Sequence, residues 1–128
     1  MWQIPVAVGV SIHCVVDDFL WPWETTTPVV MMHGFARNAL FWNRWVPLVA
    51  ETHRVYRPDL LACGRSDQLP AGYLYTPQTI EAQITAVLDT LSLDRVHWVG
   101  ESSGGIIGLL LAASHPERLA AGKLRSSD

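Results

Sequence analysis

Residues 95–105, Arg-Val-His-Trp-Val-Gly-Glu-Ser-Ser-Gly-Gly, decide how this chain is expected to fold. A β-branched, apolar run leads into the motif Gly-x-Ser-x-Gly, and a helix-like run follows it to Ser114. A strand and a helix joined through this motif predict a sharp turn that exposes the Ser102 hydroxyl on a strained backbone. Gly100 and Gly104 are required because side chains there would collide with the neighbouring strand and helix. The pattern therefore predicts a nucleophile at Ser102.

A second apolar run, residues 28–32, ends at His33 and Gly34. A short run without polar residues is typical of a strand buried on both faces of a parallel sheet. The backbone N–H groups of Phe35 and Ser103 are then candidates for an oxyanion hole, which stabilises the tetrahedral intermediate of acyl transfer. The alternative is that His-Gly only ends the strand. We interpret His33 as a residue that holds the loop rather than as a base.

The other segments alternate between strand-like and helix-like patterns. Two short strands are expected around a turn at Gly9, and a further strand at residues 54–56. Helices are expected from Asn38 to Ala50, where Pro47 either kinks the helix or marks its true first turn, and from Thr76 along one apolar face. This order predicts an α/β fold with three layers, αβα, around a mostly parallel sheet in a single domain.

Composition narrows the class of protein. The 128 residues carry a net charge of −3 and no basic run, so we expect no nucleic-acid partner. The longest apolar stretch, residues 106–113, is too short to span a bilayer, and we expect no membrane partner. The apolar N-terminus has no positively charged start, which favours a strand over a signal peptide. Cys14 and Cys63 show no metal spacing, so we expect reduced thiols in a cytoplasmic protein and no metal site. We also expect no cofactor.

Three further side chains are candidates for a substrate pocket, namely Phe35, Trp42 and Glu101. Trp45 is interpreted more readily as aromatic packing of a helix on the sheet. Two of the histidines are excluded as a base by position. His97 lies within the strand before the motif, and His115 lies about 15–20 Å along the following helix.

Together, these stretches resemble the α/β-hydrolase superfamily. The resemblance rests on Val29 to Phe35, Tyr56 to Leu60 with Gly64 to Ser66, Val99 to Gly105, and His115 to Leu119. It is strongest to 3-oxoadipate enol-lactonases, small esterases and non-haem haloperoxidase-like proteins. It implies a truncated α/β-hydrolase fold that contains about strands 1–5 and helices A–C of the family's domain. It also implies hydrolysis of a small carboxylic ester or lactone through an acyl-enzyme on Ser102.

The resemblance also implies what the chain lacks. In the family the acid and the histidine follow the serine in the order Ser…Asp/Glu…His, within a second half of roughly another hundred residues that we do not find after the motif here. We therefore expect the chain to be inactive alone, with residues 1–119 as the N-terminal part of one domain. Residues 120–128 read as a polar tail without strand character, which leaves residues 95–99 as a sheet edge open to self-association. Two alternatives stay open, a non-enzymatic fragment and a cofactor-free perhydrolase or acyltransferase.

Overall fold

One six-stranded sheet organises the part of the chain that the computed structural model describes, residues 2–7 and 9–125. Its strand order is β1-β2-β4-β3-β5-β6. The strands are β1 (Trp2–Ala7), β2 (Val10–Asp17), β3 (Val29–Met32), β4 (Val55–Pro58), β5 (Val96–Glu101) and β6 (Leu119–Arg125). The β1–β2 hairpin and the β2–β4 pair are antiparallel, whereas β4, β3, β5 and β6 run parallel. The mostly parallel α/β sheet predicted from the sequence is confirmed.

Three α-helices and two 3₁₀ segments connect the strands. They are a 3₁₀ helix (Ala39–Trp42), α1 (Val46–Val49), α2 (Pro77–Thr90), α3 (Ser103–Ser114) and a 3₁₀ turn (Pro116–Arg118). As predicted, α2 begins with Thr76 as its N-cap and Pro77 in its first turn, and Thr79 completes a capping box. None of the helices in the described ranges is long and apolar enough to cross a bilayer.

The single helix expected from Asn38 to Ala50 is divided in two. The Asn38 side chain caps the 3₁₀ helix by accepting a hydrogen bond from the Leu40 N–H at 2.9 Å. The chain then turns again, and Pro47 lies in the first turn of α1. Proline lacks an N–H and disrupts a helix interior but is tolerated in the first turn. Of the two alternatives, the structure confirms that Pro47 marks a first turn and does not kink a longer helix.

Alternate residues of β3 separate the two faces of the sheet. Val30 and Met32 pack with the buried side chains of α2 and α3, while Val29 and Met31 pack with Trp42 and the α1 residues. A strand points successive side chains to opposite faces, so a fully apolar strand needs cover on both sides. The predicted three-layer αβα arrangement is thus confirmed.

The expectation that the tail has no strand character is wrong. Residues Leu119–Arg125 form β6, which pairs in parallel with β5 from Val96 to Glu101. Strand pairing uses backbone N–H and C=O groups, and a small or polar composition weakens it without preventing it when a partner strand is exposed. The sheet edge therefore lies at β6 and not at β5. The last part of the predicted tail, residues 126–128, lies outside the described residues.

The β1–β2 hairpin buries one of the two free cysteines. Cys14 is fully buried against Ile4, Ile12 and Leu61, and this burial raises the pKa of its thiol from 9.0 to about 12. Cys63 is partly exposed. A buried thiol with a raised pKa is unreactive because the thiolate is the attacking species.

Titration with Ellman's reagent at pH 8 tests this burial. We expect one fast thiol, Cys63, in the folded protein and two in guanidinium chloride, because only unfolding exposes Cys14. In Cys63→Ser the folded protein should show no fast thiol. Rapid reaction of Cys14 in that variant would show that the hairpin does not cover it.

Candidate active site

The predicted turn is present at the junction of β5 and α3. Ser102 has φ 54° and ψ −118°, is exposed to solvent, and immediately precedes the first residue of α3, Ser103. A positive φ is costly for a residue with a Cβ, about 1–3 kcal/mol. The carbonyl of Ser102 accepts the N–H groups of Gly105 at 2.9 Å and Ile106 at 3.3 Å, so the helix hydrogen bonding begins at the strained residue itself.

Two glycines allow this turn because there is no room for a side chain at either position. A Cβ on Gly100 would lie 2.5 Å from the backbone of Gly104 and Gly105. A Cβ on Gly104 would lie 2.2 Å from the carbonyl oxygen of Met32 and 2.7 Å from that of His33. Both neighbours are backbone atoms that cannot move aside. These contacts confirm the steric reason given for the two glycines.

Trp98 joins the strand to the helix beneath the turn. Its ring N–H donates to the carbonyl of Gly104 at 3.0 Å, and its side chain is fully buried. The ring also occupies the space where Gly108 would carry a Cβ, 2.5 Å from the Trp98 Cδ1. This tryptophan therefore sets the distance between β5 and α3. Sequence reasoning treated it only as part of a strand.

The loop after β3 lies against the turn. Met32 is the register partner of Gly100, so the carboxyl ends of β3 and β5 coincide. His33 holds the loop: its Nδ1 donates to the Gly34 carbonyl at 2.7 Å, and its Nε2 accepts the Leu60 N–H at 3.0 Å. Burial lowers the pKa of His33 below its ordinary value, which keeps the ring neutral and suits both bonds. The interpretation of His33 as a loop-holding residue is confirmed.

A buried network fixes the loop after β4 in the same region. One Asp59 carboxylate oxygen accepts the Ala39 N–H at 2.6 Å, and the other accepts the Arg65 N–H at 3.1 Å and pairs with His13 Nδ1 at 3.1 Å. Ser66 donates its hydroxyl to the Asp59 carbonyl. The network is structural, because its bonds tie these side chains to loop backbone and to the buried His13.

The predicted pocket residues are distributed differently from the expectation. Phe35 is 85% exposed at the rim of the turn. Trp42 is fully buried in the core under α1, because the 3₁₀ helix directs the Trp42 side chain onto the sheet. The Phe41 ring packs edge-on against Trp42 at 5.0 Å between ring centroids. Trp45, which was interpreted as aromatic packing, packs edge-on against Trp42 with 6.2 Å between the ring centroids and is 40% exposed. The assignment of Trp42 to an open pocket is therefore wrong.

Glu101 is likewise not on an open wall. Its side chain is 1% exposed and lies beneath Gly34, and its Oε2 is 3.3 Å from the Nε of Arg37. Arg37 carried no sequence signal for this role. Only its place shortly after His33 and Gly34 could have suggested it.

All five histidines lie in the described part of the chain, and no hydrogen bond there joins one of them to Ser102. His13 pairs with Asp59, and His115 pairs with Glu81 at 2.8 Å. His53 and His97 pack edge to face at 5.8 Å. No group of three or more His, Cys, Asp or Glu side chains in the described ranges is placed to hold a metal ion.

A strand, a strained serine and a helix at the carboxyl edge of a parallel sheet define the nucleophile turn of the α/β-hydrolase class. Comparison with known proteins agrees, because the family model for the alpha/beta hydrolase fold matches residues 27–127. The chain belongs to this family.

The proteins that this chain is similar to are named for different activities. The chain is 37% identical over 95 residues to 2-hydroxymuconate semialdehyde hydrolase of Pseudomonas sp. (strain CF600), covering 72% of this chain and 33% of that protein. It is 37% identical over 94 residues to haloalkane dehalogenase of Psychrobacter cryohalolentis, covering 73% and 31%. A solved N-acyl homoserine lactone degrading enzyme superposes with a TM-score of 0.80 at 30% identity, covering 95% and 44%. The chain thus spans about a third of the length of these curated relatives.

Relief of the backbone strain at Ser102 is measurable. Ser102→Gly should raise the free energy of unfolding by about 1 kcal/mol, or Tm by roughly 3–5 °C, because glycine adopts a positive φ without cost. Ser102→Ala keeps the Cβ and should leave Tm within about 1 °C of the unaltered chain. Equal Tm values for the glycine and alanine variants would contradict strain at this position.

Proposed function

We propose that this chain carries the nucleophile and the oxyanion hole of a serine hydrolase that acts on a small carboxylic ester or lactone. The Ser102 Oγ attacks the carbonyl carbon as its proton passes to a general base, and the ester C–O bond breaks with that proton going to the alcohol oxygen. An ester releases a free alcohol, a lactone opens to a hydroxyl on the same acyl group, and water then hydrolyses the acyl-serine. The N–H groups of Phe35 and Ser103 hold the oxyanion of the tetrahedral intermediate. The observation that carries the proposal is the strained, exposed Ser102 at the head of α3.

The surroundings of Ser102 support the oxyanion hole. His33 ties the β3 loop to the β4 loop at Leu60, and Gly34 lies against Glu101, the residue before Ser102. The first N–H groups of a helix have no partner within the helix, so the N–H of Ser103 is free to stabilise negative charge there. The N–H of Phe35, in the loop after β3, is the second donor of the pair that the superfamily motif requires.

Two observations support the substrate class, namely the chemistry of the site and the similarity of the chain to a solved enzyme. An activated serine with two N–H donors suits acyl transfer from an ester or lactone. The neighbour of known structure at 30% identity degrades N-acyl homoserine lactones. A 2-hydroxymuconate semialdehyde hydrolase and a haloalkane dehalogenase also occur among the relatives, so the acyl assignment rests on the serine rather than on the family.

We also propose that the acid and the histidine are supplied by sequence outside this chain. His13, His33 and His115 have partners elsewhere, and His53 and His97 pack against each other. A serine hydroxyl without an adjacent base is a weak nucleophile. Loss of triad members costs about 10⁶ in kcat, with about 10³–10⁴ over water retained through the oxyanion hole and binding. Cytoplasmic location and self-association through an edge strand stay predictions.

Labelling of the chain with a fluorophosphonate probe tests the nucleophile. We expect a slow, stoichiometric adduct on the peptide that contains Ser102, identified by mass spectrometry, and none in Ser102→Ala. Ser114 is the matched control, since it is also exposed and lies on α3. Modification of Ser114 at the same rate as Ser102 would overturn the proposal.

A further inference from the structure

A buried carboxylate lies directly beneath the loop that follows β3. Glu101, the last residue of β5, has a side chain 1% exposed, and its Oε2 is 3.3 Å from Arg37 Nε. The contact is an ion pair without well-aligned hydrogen-bond geometry, and neither carboxylate oxygen has a hydrogen-bond partner within the described residues. A carboxylate that is both buried and so sparsely bonded is costly unless a positive charge stays beside it.

Arg37 is held in place from two directions. Its guanidinium carbon lies 4.5 Å from the centre of the Phe41 ring, a cation–π distance. Its backbone N–H donates to the Gly34 carbonyl at 3.2 Å and closes a four-residue turn. Within this turn Ala36 has φ 63°, an unfavourable value for alanine. The turn therefore needs support from its surroundings to persist.

Glu101 provides that support from below. A Cβ on Gly34 would lie 2.1 Å from the Glu101 Oε2 and 3.0 Å from its carbonyl oxygen, so the loop rests on both. The carboxylate contacts the start of the turn, and its ion-pair partner Arg37 closes the end. Phe35, the proposed oxyanion donor, lies between these two points.

We propose that the Glu101–Arg37 ion pair is a positioning device that fixes the turn from Gly34 to Arg37 and so places the N–H of Phe35 beside Ser102. Both are positioning residues, since they act through the loop and not on the substrate. The inference rests on the proposed function for the role of Phe35, but the fixing of the turn stands on geometry alone.

Amide hydrogen exchange of the whole chain tests the fixing of the turn. Arg37→Gln and Glu101→Gln should each raise exchange of the peptide covering residues 33–38 at least fivefold, while peptides in β3 and β5 stay unchanged. The double variant should exchange no faster than either single variant, because one interaction is lost in all three. Arg44→Gln is the matched control, since Arg44 is exposed and forms no ion pair with any described residue.

Fluorophosphonate labelling tests the consequence for the site. The maximal rate of Ser102 modification should fall about tenfold in Arg37→Gln, with the probe concentration at half-maximal rate unchanged, and Arg44→Gln should leave both constants unaltered. If Ser102 of the unaltered chain reacts no faster than Ser114, the proposed function fails while the exchange result still decides the turn. Exchange that is unchanged, or that rises equally throughout the sheet, would overturn the positioning role.

Discussion

The close approach of α3 to the ends of β3 and β5 is the constraint on which the rest of the site depends. Gly104 lies against the carbonyl oxygens of Met32 and His33, and Gly108 lies against the Trp98 ring. Because the helix starts at backbone contact distance, no loop separates it from β5, and one residue must reverse the chain. That residue is Ser102, and its strained φ follows from the packing rather than from its own preference.

The surrounding core is large enough to offset this strain. The cost of one such residue is about 1–3 kcal/mol, whereas burial of one large apolar side chain contributes about 1.5–3 kcal/mol. Val96 and Trp98 of β5 and Ile107 and Leu111 of α3 are all at least 96% buried on either side of the turn. With β3 and β6 paired on its two sides, β5 cannot relax without losing these contacts.

Sequence patterns predicted the features that depend on spacing within one segment. The serine turn, the cap of α2 and the two-faced burial of β3 each follow from a few adjacent residues. The errors concern contacts between distant segments. Trp42 is buried because the 3₁₀ helix places it against the sheet residues Val29 and Val55. The strand β6 forms because β5 offers a partner strand. Arg37 meets Glu101 only after β3 and β5 pair. Local propensity carries little information on such pairings, because tertiary packing overrides it.

The positions of backbone strain fall in the same region of the sheet as the candidate site, independently of any sequence motif. Four non-glycine residues in the described ranges have positive φ, namely Ala36, Ala62, Ser92 and Ser102. Ala36 follows β3, Ala62 follows β4 and Ser102 follows β5, so three of the four lie beyond the carboxyl ends of neighbouring parallel strands. Ligands of open α/β sheets bind outside this edge. Strain persists only where the surrounding structure enforces it, so its concentration at one edge of the sheet shows that the fold holds these loops in place.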